Sequence, residues 1–178
     1  MKKNVYPLAV SAVTGAAYAA MTMALAPLSF GVVQLRVSEV LCILPFFLPF
    51  TAWGLFFGCV IANLVSAAGI LDVVFGSLAT LFACLCMAKL GENNSKSNRI
   101  LACLMPVLWN GVIVGATLTI AVAGLNPIKN FGAFLIYGGQ VALGELGVMF
   151  IIGLPLMSYL PKEKFFSEFA GKFLDKRN

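Results

Sequence analysis

Four ionisable side chains interrupt an otherwise apolar body: Arg36, Glu39, Asp72 and Glu145. Six large polar or amphipathic residues accompany them: Gln34, Asn63, Trp109, Asn110, Tyr137 and Gln140. Ionised carboxylates accept hydrogen bonds, primary amides both donate and accept, and the Trp and Tyr rings offer flat faces. This is equipment for holding a small molecule rather than for breaking bonds. The chain has no His, which removes imidazole catalysis and most zinc sites. No nucleophile stands beside an evident base, and no GxxxxGK[ST] loop is present to cradle a nucleotide. Cys42, Cys59, Cys84, Cys86 and Cys103 each lie in an apolar stretch and read as small apolar residues. On a helix, Cys84 and Cys86 point about 200° apart and cannot share a metal.

Each polar residue also has a plainer reading. Asp72 suits a helix N-cap, and Arg36 can pair with Glu39 across one helical turn. Asn63, Asn110 and Glu145 are harder to explain away, because they lie well inside the apolar runs, where polar groups are costly unless they face a cavity or a partner.

The elements that must position these groups are membrane helices. Of 178 residues, 61% are hydrophobic and 11% charged, and the mean hydropathy is +0.97. A soluble domain carries about a quarter charged residues, so a soluble globule, a disordered chain, a disulfide scaffold and a nucleic-acid binder are poor fits. Apolar runs and their breaks give six crossings: about 6–26, 37–47, 52–68, 71–89, 99–123 and 131–159. The second is short and carries Pro45; Gly69 marks a tight turn, and Gly91–Asn98 is the one clearly hydrophilic internal loop. Lys2 and Lys3, then Lys89, Lys96 and Arg99, then Lys162, Lys164, Lys172, Lys176 and Arg177 fall on one side of such a bundle. Arg36 and Lys129 fall on the other. The positive-inside rule then puts both termini in the cytoplasm. The expected fold is an all-α membrane protein: a six-transmembrane-helix bundle over residues 1–160, multi-pass in the cell membrane, followed by a cytoplasmic amphipathic tail over 161–178.

The start of the chain imitates a signal peptide, but its apolar run is longer than a typical signal core, and it reads as a helix. In the tail, Phe165, Phe166, Phe169 and Phe173 at helical spacing among lysines read as an amphipathic helix on the inner leaflet. With this topology most of the polar set converges on a chamber opening outward, with Trp109 and Asn110 near mid-helix and Glu145 deeper. In the first helix Ala12, Ala16, Ala20 and Ala24 repeat every four residues, a smooth ridge that lets another helix approach closely. The ridge serves packing inside the bundle as well as docking outside it.

The stretch QLRVSEVLCILPFFLP from Gln34 to Pro49 resembles the QueT family, as does GLFFGCVIANLVSAAGILDVVFGSLATL from Gly54 to Leu81. WNG at Trp109–Gly111 and LGELG at Leu143–Gly147 are similar to it too. The likeness covers nearly the whole chain and is least specific in the tail. It implies a substrate-binding S component of an energy-coupling-factor transporter for queuosine precursors, not an enzyme, with no cofactor. Such a subunit captures a 7-deazaguanine-type base outside. It then docks on a coupling membrane protein with two cytoplasmic ATPase subunits.

The resemblance implies docking through Ala12, Ala16 and Ala20, and a lid over Ser29–Arg36. The expected substrate-binding residues are Arg36, Glu39, Asn63, Asp72, Trp109, Asn110, Gln140 and Glu145. A carboxylate such as Glu145 or Glu39 would accept from the ring N–H and amine of the base. An amide would donate to its carbonyl, and Trp109, Tyr137 or a phenylalanine would stack on the ring. An S component for another small vitamin, a stand-alone proton-coupled carrier using Glu145 and Asp72, and a purely structural subunit are the other readings.

Overall fold

The computed structural model describes residues 5–31 and 34–174. Lys2, Lys3, Lys176 and Arg177 of the charge pattern, and Val32 and Val33 of the expected lid, lie outside the described residues. Those described form helices and connecting turns, with no strand among them. Apart from a single α-turn at Ala26–Ser29, the helices are α1 (Val5–Ala24), α2 (Val37–Phe47), α3 (Thr51–Asn63), α4 (Asp72–Leu90), α5 (Lys96–Ala121), α6 (Phe131–Lys162) and α7 (Lys164–Leu174). Four of them, α1, α4, α5 and α6, are long and apolar enough to cross a membrane; α2 and α3 are shorter apolar helices.

Neighbours run α1, α3, α4, α5, α6, and α2 sits among them, touching all five. Its central position explains its shape. The segment Val37–Ile43 winds as a 3-10 helix before one α-turn, Leu44–Phe47, and most of it is buried. A helix walled by other helices need not present a full membrane length of apolar surface.

The boundaries deviate from the apolar runs for identifiable reasons. Chain turns begin after Asn63 and not at Ala68, because the Asn63 side chain donates to the Asp72 carbonyl at 2.9 Å and folds the connection back. Gly69 makes the expected turn at φ +62°. α5 starts at Lys96 and not Arg99 because Ser95 caps it, accepting from the Asn98 N–H at 3.1 Å. Pro106 lies inside α5, and the π-helical stretch Gly147–Gly153 precedes Pro155 in α6; the packed bundle carries both helices through these interruptions.

α1 has two small-residue faces, and the structure separates them. Ser11, Gly15 and Ala19 are buried, with Gly15 against the Gly54 backbone and Gly58 against that of Gly15. The Ser11 hydroxyl donates to the Phe50 carbonyl and accepts from the Gly54 N–H, both at 3.0 Å. Ala12, Ala16, Ala20 and Ala24 are exposed. A side chain at Gly54 would run into the Ser11 carbonyl. We therefore expect Gly54→Val to destabilise the fold by about 1–3 kcal/mol, seen as a lower thermal unfolding midpoint in detergent.

The apolar stripe of α7, expected on the inner leaflet, is turned onto the bundle. Phe166 meets Phe47 edge-on at 5.4 Å between ring centroids, Phe173 meets Phe50 at 5.1 Å, and Ala170 is buried. Packing against fixed aromatic partners uses the same apolar face that would otherwise rest on lipid. Phe165 is left outside, 82% exposed.

Candidate functional site

A cavity of about 600 Å³ opens at the end of the bundle where α5 finishes and α6 begins. Phe30, Gln34, Ser66, Leu118, Tyr137 and Gln140 are among its lining residues. It is therefore largely apolar, with two primary amides, two hydroxyls and two aromatic rings. Of the expected substrate-binding residues only Gln140 lines it; the charged ones lie behind or beneath.

Directly behind the wall, Arg36 donates through Nη2 to Asp72 Oδ2 at 3.1 Å. The Ser66 hydroxyl donates to the same oxygen at 2.6 Å. Two plainer readings are thereby corrected. Arg36 pairs with Asp72, 36 residues away, and not with Glu39, because Glu39 points toward α1 and α4. Asp72 makes no N-cap bond although it opens α4, since the residue before it is already helical. Its Oδ2 is taken up by Arg36 and Ser66.

Glu39 is fully buried and saturated. It accepts from the Tyr18 hydroxyl, from Cys42 Sγ at 3.0 Å and from Thr80 at 3.4 Å. Beside it Thr22 and Ser38 share a hydrogen bond at 2.6 Å. These bonds tie α2 to α1 and α4.

Asn110 and Glu145 form a third group. Asn110 Nδ2 donates to Glu145 Oε1 at 2.8 Å, and both residues are 2% exposed. They lie two helical turns deeper than the cavity-lining Leu118 and Tyr137, with buried Val114 and Val141 at the intervening turn. Trp109 packs on Phe82 at 5.1 Å between centroids, so the rings beside the cavity are Phe30 and Tyr137 instead.

Buried polar atoms normally find partners. Among the described residues, Asn63 Oδ1, Asp72 Oδ1, Asn110 Oδ1, Glu145 Oε2 and Ser29 Oγ have none. Four of these five are acceptors, on four of the residues singled out from the sequence. Each unpaired group costs about 1–3 kcal/mol, and a donor-rich molecule would relieve that cost.

The structure also adds residues that the sequence did not single out. Ser66 joins the cavity wall to Asp72, and Phe30 lines the wall and faces the Arg36 guanidinium at 5.2 Å. Tyr18 and Thr80 hold Glu39. Tyr18 had one visible signal, a phenol in the middle of the alanine-rich part of α1. Ser66 had none beyond its distance of six residues from Asp72.

Four membrane-length helices around a cavity and a buried polar interior are the architecture of a multi-pass membrane protein. The comparisons with known proteins agree. The sequence profile of the QueT transporter family matches residues 8–162. The chain is 30% identical over 172 residues to the queuosine precursor transporter QueT of Lactococcus lactis subsp. cremoris (strain MG1363), an alignment covering 90% of this chain and 95% of that one. The chain belongs to the QueT transporter family and is a transporter, not an enzyme. No solved structure matches it.

Proposed function

We propose that the chain is the substrate-binding S component of an energy-coupling-factor importer in the cell membrane, capturing a queuosine precursor of the 7-deazaguanine type outside. In this reading it crosses the membrane six times, α2 and α3 included, with both termini cytoplasmic and the cavity facing out. The precursor enters beside Phe30 and Tyr137, which offer faces to its planar ring. Gln34 and Gln140 offer amides to its edge. Its ring N–H and amine then meet the unpaired acceptors of Glu145, Asn110 and Asn63, as Val114 and Val141 yield. Asp72 stands behind Ser66 as a second carboxylate for ligands bearing an amine.

The observation that carries the reading is the division of α1 into two small-residue faces. One is consumed by α3, and the other, Ala12–Ala16–Ala20–Ala24, is bare. In a membrane, a smooth face of this kind lets a second helix come close enough for van der Waals packing. The coupling membrane protein, carrying two ATPase subunits, is the partner that fits it. Ligand bound by the bundle is then delivered inward when ATP hydrolysis on those subunits resets the complex.

The test is calorimetric titration of purified protein with deazaguanine precursors, alongside guanine, riboflavin and thiamin, followed by uptake in liposomes. Saturable binding of a deazaguanine is expected, with uptake that requires the coupling protein and ATP. Tight binding of a control vitamin would reassign the substrate. Uptake by the chain alone under a proton gradient would replace the S-component reading with a self-sufficient carrier using Glu145.

A further inference from the structure

We infer that Arg36 is a positioning residue: a buried strut that fixes two walls of the cavity and does not itself read the ligand. The inference rests on taking the cavity as the substrate chamber. Arg36 lies on the segment leading into α2, is 2% exposed and is not among the cavity-lining residues. Its guanidinium acts in two directions. Toward the preceding chain, Nε donates to the Ser29 carbonyl at 3.5 Å and the plane lies over the Phe30 ring at 5.2 Å. Toward α4, Nη2 reaches Asp72 Oδ2 at 3.1 Å.

Asp72 in turn gathers the opposite wall. Ser66 donates to the same Oδ2 at 2.6 Å and accepts from the Ala68 N–H at 3.3 Å, while Asn63 holds the Asp72 carbonyl at 2.9 Å. Phe30, Gly31 and Gln34 form one wall of the cavity, and Ser66, Ala67 and Ala68 form the other. Neither wall belongs to a membrane-length helix; Ala68 packs with Ala79, Val114, Leu118 and Val141, but that packing does not reach the wall of Phe30, Gly31 and Gln34. The Arg36–Asp72 pair joins them through a planar, fixed fork of donors that a lysine does not possess.

Such a pair has a distinctive energetic signature. Removing one partner strands a buried charge, whereas removing both does not, so the two substitutions are non-additive. The experiment is hydrogen–deuterium exchange of the full chain in detergent, comparing wild type with Arg36→Met, Asp72→Asn and the double variant. In each single variant the amides of Phe30, Gly31 and Gln34 and those of Ala67 and Ala68 are expected to exchange at least tenfold faster, with α5 unchanged. The double variant is expected to be no worse than the worse single. If Arg36→Met does not fold, Arg36→Lys, which keeps the charge and loses the fork, carries the same comparison.

With a bound deazaguanine, ligand dissociation from Arg36→Met (or Arg36→Lys) is expected to accelerate at least tenfold while the ranking of deazaguanine analogues stays as in wild type. Loosening of one wall alone, additive effects, or a reordered ranking would overturn the strut and make Arg36 a ligand contact or a local prop. If the wild type binds no deazaguanine, the chamber reading falls, and exchange at the two walls still decides whether Arg36 joins them.

Discussion

Glu145→Gln is expected to lower affinity for the deazaguanine ligand by more than tenfold, a loss of about 1.4 kcal/mol and upward, measured by titration calorimetry. The carboxylate has one oxygen occupied by Asn110 and the other without a partner. In the proposed complex that free oxygen accepts from the base. An amide at this position turns an acceptor into a donor and sets it against the ligand's own N–H groups, so it forfeits a charge-assisted bond and leaves a ligand donor unpaired. Glu39 makes the contrast clear. It is an equally buried carboxylate, but Tyr18, Cys42 and Thr80 already bond it and tie α2 to α1 and α4. An affinity unchanged by Glu145→Gln would remove Glu145 from the site and leave the base to the amides of the cavity.

Ala16→Trp is expected to abolish reconstituted uptake and association with the coupling protein while calorimetric ligand binding stays within about twofold of wild type, a difference well under 1 kcal/mol. Ala16 is exposed, and the face that α1 uses inside the bundle runs through Gly15 instead. An indole at Ala16 therefore meets no neighbour within the chain and obstructs only a helix approaching from outside. The unfolding midpoint should not move, unlike that of Gly54→Val. Loss of ligand binding in step with transport would show that the ridge supports the fold itself.

The apolar runs located the helices because burial in lipid or core requires long uncharged segments, and Gly69 and the Ser95 region punctuate them by backbone chemistry that is local. The resemblance carried by the Gln34–Pro49, Trp109–Gly111 and Leu143–Gly147 stretches pointed to the family that the comparisons report. Glu39, Asp72 and Glu145 were conspicuous as isolated carboxylates in an apolar chain, and all three are buried.

What separates those three carboxylates was not visible. Glu39 is satisfied by residues 21 positions before it and 41 after it as well as by nearby Cys42, and Asp72 is paired with an arginine 36 positions earlier. Glu145 and Asp72 each keep one oxygen without a partner, and the bonded oxygen of Glu145 accepts from Asn110, 35 positions earlier in sequence. Spacing within a helix suggested Arg36 with Glu39, since residues three apart are neighbours there. The fold overrode that local preference by carrying α4 alongside α2 and presenting Asp72 first.

By itself, then, the sequence determined the class: a polytopic membrane chain with a sparse polar set and a small-residue ridge on its first helix. Those properties are sums over residues or local periodicities, and each is complete within one segment. The tertiary structure decided which α1 face is buried, which carboxylates are left with an unpaired oxygen, and that α7 turns its phenylalanines onto the bundle. Each of these choices depends on which segments become neighbours. Ala16 and Gly15 differ by one methyl group and about 100° of helix rotation, and only the packing of α3 against α1 tells them apart.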